Sequence, residues 1–87
     1  MSDWKVELTR RAERDLRRLD PQVRRRIVAA LDGLRAEPVK GDVRKLTGSG
    51  DEWRLRVGDW RVRFRRDPAR RLVEIIRILP RGRAYRD

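Results

Sequence analysis

The 87 residues include 25 lysines and arginines against 14 aspartates and glutamates, a net charge of +11, with no cysteine and no histidine. Those absences exclude disulfide support, a thiolate metal site, and the commonest general base and zinc ligand. The length suits one small domain over residues 1–87, and no apolar run approaches the ~20 residues of a membrane span. The start, Met1-Ser2-Asp3-Trp4, has neither the charged nor the apolar region of a secretory signal, which points to a cytoplasmic protein.

Charge is unevenly placed. Residues 53–87 hold twelve arginines, no lysine and four acids, a net +8. Basicity of this size favours nucleic acid or another anionic partner. Codon bias would explain 22 arginines to 3 lysines in the whole chain, but not their concentration in one segment.

In chain order, Trp4-Lys5-Val6-Glu7-Leu8 alternates and reads as a short first strand. Thr9 then suits the N-cap of a helix from Arg10 to about Leu19, with Ala12, Leu16 and Leu19 as a narrow apolar stripe. Asp20-Pro21 marks a second helix start, with proline at the first helical position, where its missing N–H is no loss. That helix is expected to reach about Ala36, with Val23, Ile27, Ala30, Leu31 and Leu34 on one face. The run Arg24-Arg25-Arg26 reads as a solvated helix face. Over residues 37–52 the periodicity stops. Pro38, Gly41, Gly48, Ser49 and Gly50 read as a connector, and no Gly-Lys-Ser/Thr follows to build a phosphate loop.

The segment from Trp53 to Arg65 alternates between apolar residues and arginine on either side of Gly58-Asp59, a hairpin signature. With those two residues as the loop, Val57 faces Trp60, Leu55 faces Val62 and Trp53 faces Phe64. On the other face Arg56 opposes Arg61 and Arg54 opposes Arg63. Like charges directly opposite destabilise a sheet, so this face is expected to serve an anionic partner. A turn at Asp67-Pro68-Ala69-Arg70 leads to a last strand from about Arg71 to Leu79. A four-residue loop there pairs Phe64 with Val73 and Val62 with Ile75. It also sets Glu74 opposite Arg63 and leaves Leu72, Ile76 and Ile78 on the arginine face. Pro80 ends the strand and a basic C-terminal tail follows. The expected fold is α+β, in the order β-α-α-β-β-β, with a helical hairpin packed on one face of a small, mostly antiparallel sheet.

The chain resembles the RelE/ParE superfamily of type II toxin–antitoxin toxins, and its RelE branch most closely, over essentially its whole length. The resemblance rests on Leu16, Leu19 and Asp20 at a helix end, and on Trp53-Arg54-Leu55-Arg56-Val57-Gly58-Asp59-Trp60-Arg61-Val62. Ile78-Leu79-Pro80-Arg81 leading to Tyr85-Arg86 completes it. It implies a ribosome-dependent mRNA endoribonuclease that needs no metal or cofactor. A cognate acidic antitoxin would restrain it in a toxin–antitoxin hetero-oligomer, by covering the arginine face or displacing the tail. By the same resemblance Arg54, Arg56, Arg61, Arg81 and Tyr85 are the catalytic residues; Arg63 and Arg65 of the hairpin and Arg83 and Arg86 of the basic tail are expected to bind RNA beside them. The chain departs from the RelE pattern in having arginine for lysine at 54 and 56, and Pro80 where many relatives have histidine.

Those residues suit part of the chemistry. Cleavage through the RNA 2′-hydroxyl requires loss of its proton, stabilisation of a charged phosphorane and protonation of the leaving oxygen. Guanidinium forks bind phosphate oxygens in a bidentate way, which serves the second need. Arginine stays protonated in proteins and does not serve the first. Tyr85 is a candidate for base stacking or proton transfer, or for packing on the sheet edge. Two other functions fit the same residues: a ParE-like toxin that binds DNA gyrase, and an inactive basic module that contacts only RNA or an antitoxin.

Overall fold

The computed structural model describes residues 4–48 and 50–83; the Arg83 side chain, Tyr85 and Arg86 lie outside the described residues. Strand β1 (Lys5–Leu8) leads into helix α1 (Arg10–Arg17) and helix α2 (Pro21–Asp32), which tightens into a 3-10 turn over Gly33–Arg35. Strands β2 (Asp42–Lys45), β3 (Glu52–Val57), β4 (Trp60–Asp67) and β5 (Leu72–Pro80) follow, and a second 3-10 turn spans Arg81–Arg83. The strands form one sheet in the order β1-β5-β4-β3-β2, parallel only between β1 and β5.

Strand β2 corrects the expectation of a connector over residues 37–52 and makes the order β-α-α-β-β-β-β. Its four residues hold a single apolar side chain, too few for a period-2 signal. Its strand character comes from its neighbour: Val43 sits opposite Leu55 and packs on the core, and Lys45 sits opposite Trp53. Lys45 Nζ lies 5.9 Å from the centroid of that ring, a cation–π contact.

Thr9 joins the first strand to the first helix. Its Oγ1 accepts the Ala12 N–H at 3.1 Å, capping α1, and donates to the Ile76 carbonyl at 3.0 Å. Its own N–H donates to the Ile75 carbonyl at 3.0 Å. Helix α1 therefore begins where β1 stops pairing, and continues along the open edge of β5. There the Asp15 carboxylate accepts the Ile78 N–H at 2.9 Å. A strand edge that would otherwise template aggregation is covered.

Pro21 opens α2 as expected, although Asp20 at the N-cap makes no side-chain capping bond. Arg24 is no solvated helix residue. Its guanidinium folds over the end of α1, with Nη2 donating to the carbonyls of Leu19 (2.9 Å) and Arg17 (3.3 Å), and Nε to that of Leu16 (3.3 Å). It satisfies carbonyls that a helix end leaves unpaired and puts a cation at the negative pole of the helix dipole. Arg24→Ala is expected to lower stability by about 1–2 kcal/mol. Thermal unfolding checks this, with the exposed Arg25→Ala leaving the melting temperature unchanged.

The core lies between helices and sheet. Ile27, Leu34, Leu55, Val62, Phe64, Val73 and Ile75 are fully buried, with Trp4, Ala12, Leu19, Leu31 and Ile78 around them. Every β3–β4 pair falls in the register counted outward from Gly58-Asp59. Gly58 alone of the two loop residues takes a left-handed conformation (φ +58), as in a glycine-first hairpin turn. A Cβ at Gly58 would also meet Arg26 Nη2 at 2.9 Å, so an arginine of α2 lies against this turn.

The β4–β5 pairing differs from the expected one. The loop is residues 68–71, one residue later: Asp67 pairs with Leu72, its Oδ1 accepts the Arg70 N–H at 3.3 Å, and Arg71 turns through φ 48. Phe64 therefore faces Ile75, and Glu74 faces Arg65 rather than Arg63. A bulge then inserts Ile76 between the pairs Phe64/Ile75 and Arg63/Arg77. One inserted residue exchanges the two faces beyond it. Ile78 consequently enters the core opposite Val62, correcting its placement on the arginine face, and Leu79 stands opposite Arg61 instead.

Candidate nucleic-acid interface

The polar face of the sheet is ordered in rows. Arg44, Arg54, Arg63 and Arg77 stand side by side across β2, β3, β4 and β5, each the register partner of the next. Four adjacent cations would repel one another, and three of them are met by carboxylates from separate elements. Arg63 Nη2 donates to both Glu52 oxygens, at 2.8 and 3.0 Å. Arg77 donates to Asp15 from Nε at 2.9 Å and Nη2 at 3.3 Å. Arg54 Nη1 lies 3.9 Å from Asp42 Oδ1.

On one side of that row stand Glu52, Arg65 and Glu74, again register partners, with alternating charge. Arg65 contacts Asp51 at 3.5 Å and Glu74 at 3.8 Å. This end of the face is close to self-neutralised. The bland alternative for the expected RNA-binding residues Arg63 and Arg65 is therefore structural: each has a carboxylate partner within the fold.

The other side is different. Asp42, Arg56, Arg61 and Leu79 form the next row. Arg61 is buried, and its Nη1 donates to the carbonyls of Gly58 (3.0 Å) and Trp60 (3.1 Å), which fixes the guanidinium against the hairpin turn. The Arg81 N–H donates to the Asp59 carbonyl at 2.8 Å. That bond ties the chain leaving β5 to the same turn and brings Arg81 beside Arg61. Arg56 and Arg81 are exposed, and their side chains make no hydrogen bond or ion pair among the described residues.

An open groove of about 390 Å³ results, lined by Arg44, Arg54, Arg56, Arg61 and Arg81 with Asp42 and Leu46. Five guanidinium groups against one carboxylate give its wall a net +4. Guanidinium groups gathered around a concave space suit an anion, most strongly where several forks converge on one phosphate. The structure thus brings together four of the five expected catalytic side chains, Arg54, Arg56, Arg61 and Arg81. The fifth, Tyr85, lies outside the described residues, as do Arg86 and the Arg83 side chain.

Arg44, Asp42 and Leu46 escaped the reading of the sequence because they belong to β2 or follow directly on it. Their one local signal is Asp42-Val43-Arg44, an apolar residue between two polar ones, set between glycine-marked turns. Among the described residues there is no group of acids that could hold a metal ion.

A family model described as the ParE toxin of type II toxin–antitoxin systems, parDE, matches residues 6–85. The chain is similar to a solved archaeal RelE–RelB complex from Pyrococcus horikoshii OT3, with 35% identity over 93% of this chain and 98% of that one, at a TM-score of 0.78. It is similar to the RelBE2 toxin–antitoxin complex of Mycobacterium tuberculosis, with 28% identity over 94% and 95% of the two chains and a TM-score of 0.80. The RelB–RelE complex of Methanococcus jannaschii shares the fold at 21% identity, over 90% and 93%, with a TM-score of 0.74. With a family model matched along almost its whole length and a relative 35% identical, the chain belongs to the RelE/ParE superfamily of type II toxin–antitoxin toxins.

Proposed function

We propose that this toxin blocks translation by cutting messenger RNA in the decoding site of the ribosome. The observation that carries the reading is the groove in which Arg54, Arg56, Arg61 and Arg81 converge while Arg56 and Arg81 keep no carboxylate partner among the described residues. Arg54, Arg63, Arg65, Arg66 and Arg77 each meet a carboxylate, whereas Arg44, Arg56, Arg61 and Arg81 meet none among the described residues and all four line this groove, which suits an anion from outside. In-line attack of a ribose 2′-hydroxyl on its own phosphate builds charge on the phosphoryl oxygens, and the guanidinium groups of the groove can donate to those oxygens. The ribosome would hold the message in the bent geometry that attack requires.

Arg63 and Arg65 then flank the path of the message as partly neutralised residues, and Arg83, Tyr85 and Arg86 extend it along the tail. The acidic partner follows from the same charge. All three solved relatives named above are complexes of RelE with RelB, and here an acidic antitoxin segment would occupy the groove and exclude RNA. Such a toxin works where ribosomes are, in the cytoplasm; no helix among the described residues is long and apolar enough to cross a membrane.

The test is incubation of the purified protein with message-programmed ribosomes and with naked message. Cleavage confined to the ribosome-bound message supports the reading, and an intact message on the ribosome overturns it. Binding to a message that cannot be cut is expected to weaken steeply as salt rises, because arginine–phosphate contacts release counterions. Titration at several salt concentrations measures that slope.

One observation favours a second reading. The matching family model carries the name of ParE, whose resemblance implies DNA gyrase as the target. RelE and ParE toxins share this fold, so only the groove separates them. Inhibited supercoiling without RNA cleavage would establish the gyrase reading.

A further inference from the structure

The groove suits phosphate and, in its arginines, offers nothing that accepts a proton. Five of its lining residues are arginines, which remain protonated, and Leu46 has no ionisable group. The chain has no histidine or cysteine to fill the gap. Among the described residues, the single side chain on the groove wall that can accept a proton is the carboxylate of Asp42.

Three carboxylates meet the central arginine row, and they are not equivalent. Glu52 and Asp15 hold their arginines at 2.8 and 2.9 Å, with side chains only 9% and 12% exposed. Asp42 stands 3.9 Å from Arg54 Nη1, the outer limit of an ion pair, and its side chain is 57% exposed. Its register partner is Arg56, and Arg56 is in turn the partner of Arg61. Asp42 is thus a loosely engaged carboxylate at the mouth of the site where a phosphate would be bound.

We propose that Asp42 is the general base of the cleavage reaction, an assignment that rests on the ribonuclease reading of the groove. The carboxylate takes the proton of the ribose 2′-hydroxyl as that oxygen forms its bond to the adjacent phosphorus. The P–O5′ bond breaks, a 2′,3′-cyclic phosphate is left, and the departing O5′ takes a proton from water. The proton on Asp42 then returns to solvent, so the cycle consumes none. The charged groups facing Asp42 are Arg44 on its own strand, Arg54 and Arg56 on β3, Arg61 on β4, and Arg81 after β5. All are cations that can also orient the phosphate.

An ion-pair role for Asp42 alone makes the opposite forecast for binding and catalysis. A carboxylate inside an anion groove repels RNA, so Asp42→Asn is expected to bind message at least as tightly as the wild type. As the loss of a general base, it is expected to slow single-turnover cleavage by about 100-fold or more. The wild-type rate is expected to rise with pH along an acid limb and then level, because the base acts only when unprotonated. Asp42→Asn lacks that limb, and Asp42→Glu restores part of the rate together with it.

The experiment measures single-turnover rates on programmed ribosomes across pH. Affinity is read in parallel with a message carrying a 2′-deoxy sugar at the cleaved position, which also shows that each variant is folded. Asp42→Asn cleaving at the wild-type rate with the wild-type pH profile overturns the assignment and leaves the ribonuclease reading intact. Loss of message binding in Asp42→Asn also overturns it, since Asp42 would then serve only to hold Arg54. A wild-type protein that leaves the message whole overturns the ribonuclease reading and the base with it.

Discussion

Arg81→Ala is expected to slow message cleavage by about 10²–10³-fold while leaving the melting temperature where it was. The two halves of that result have separate causes. The Arg81 side chain is exposed and makes no contact with a partner among the described residues, so the fold loses nothing with it. What places Arg81 is its backbone N–H on the Asp59 carbonyl, and alanine keeps that bond. If the groove is the proposed phosphorane site, removing one of its cations costs rate rather than stability, which single-turnover kinetics and thermal unfolding separate. Arg61→Ala is expected to slow cleavage as well, but with a loss of stability. Its Nη1 holds the Gly58 and Trp60 carbonyls, and about 1–2 kcal/mol goes with those bonds.

Glu52→Ala is expected to be among the most destabilising single changes on the polar face, at about 3–5 kcal/mol. Glu52 receives Arg63 through both oxygens, in a buried setting, and Arg63 stands between Arg54 and Arg77 in its row. Without the carboxylate a largely buried guanidinium lies between two others with its main counter-charge gone. Small domains have only about 5–15 kcal/mol of stability in all, so a loss of this size is large. Replacing the partner as well, in Glu52→Ala/Arg63→Met, is expected to recover much of it, because an apolar pair removes the uncompensated charge. Urea unfolding of the two variants measures the difference. Equal destabilisation of both would show that the pair contributes packing rather than charge balance.

The hairpin was legible because its information is local. Gly58-Asp59 sets the turn, and the alternation around it sets which side chains face the core, so the register followed by counting. Counting also gave the opposed pairs Arg54/Arg63 and Arg56/Arg61, from which the family resemblance singled out Arg54, Arg56 and Arg61. Strand β2 was not legible, since Val43 is its one apolar residue and its pairing with Leu55 is contributed by β3. The β5 bulge left no mark either: Ile76 lies in a continuous apolar run, and only α1, through Thr9 and Asp15, fixes where the face changes. Carboxylate partners were the hardest to read. Asp15 and Arg77 are 62 residues apart, and the Glu74–Arg63 pairing expected from the turn gave way to Glu52–Arg63 once the loop shifted by one residue. Asp42 follows the same rule, since its place in the groove depends on lying opposite Arg56.

Single-turnover incubation of the toxin with ribosomes programmed by end-labelled message tests most directly whether this groove is a ribonuclease site. The expected result is a cut within the codon held in the decoding site, absent from naked message and slowed at least 100-fold in Arg81→Ala. A full-length message after incubation with the wild-type toxin would contradict it, as would cleavage that Arg81→Ala leaves unchanged.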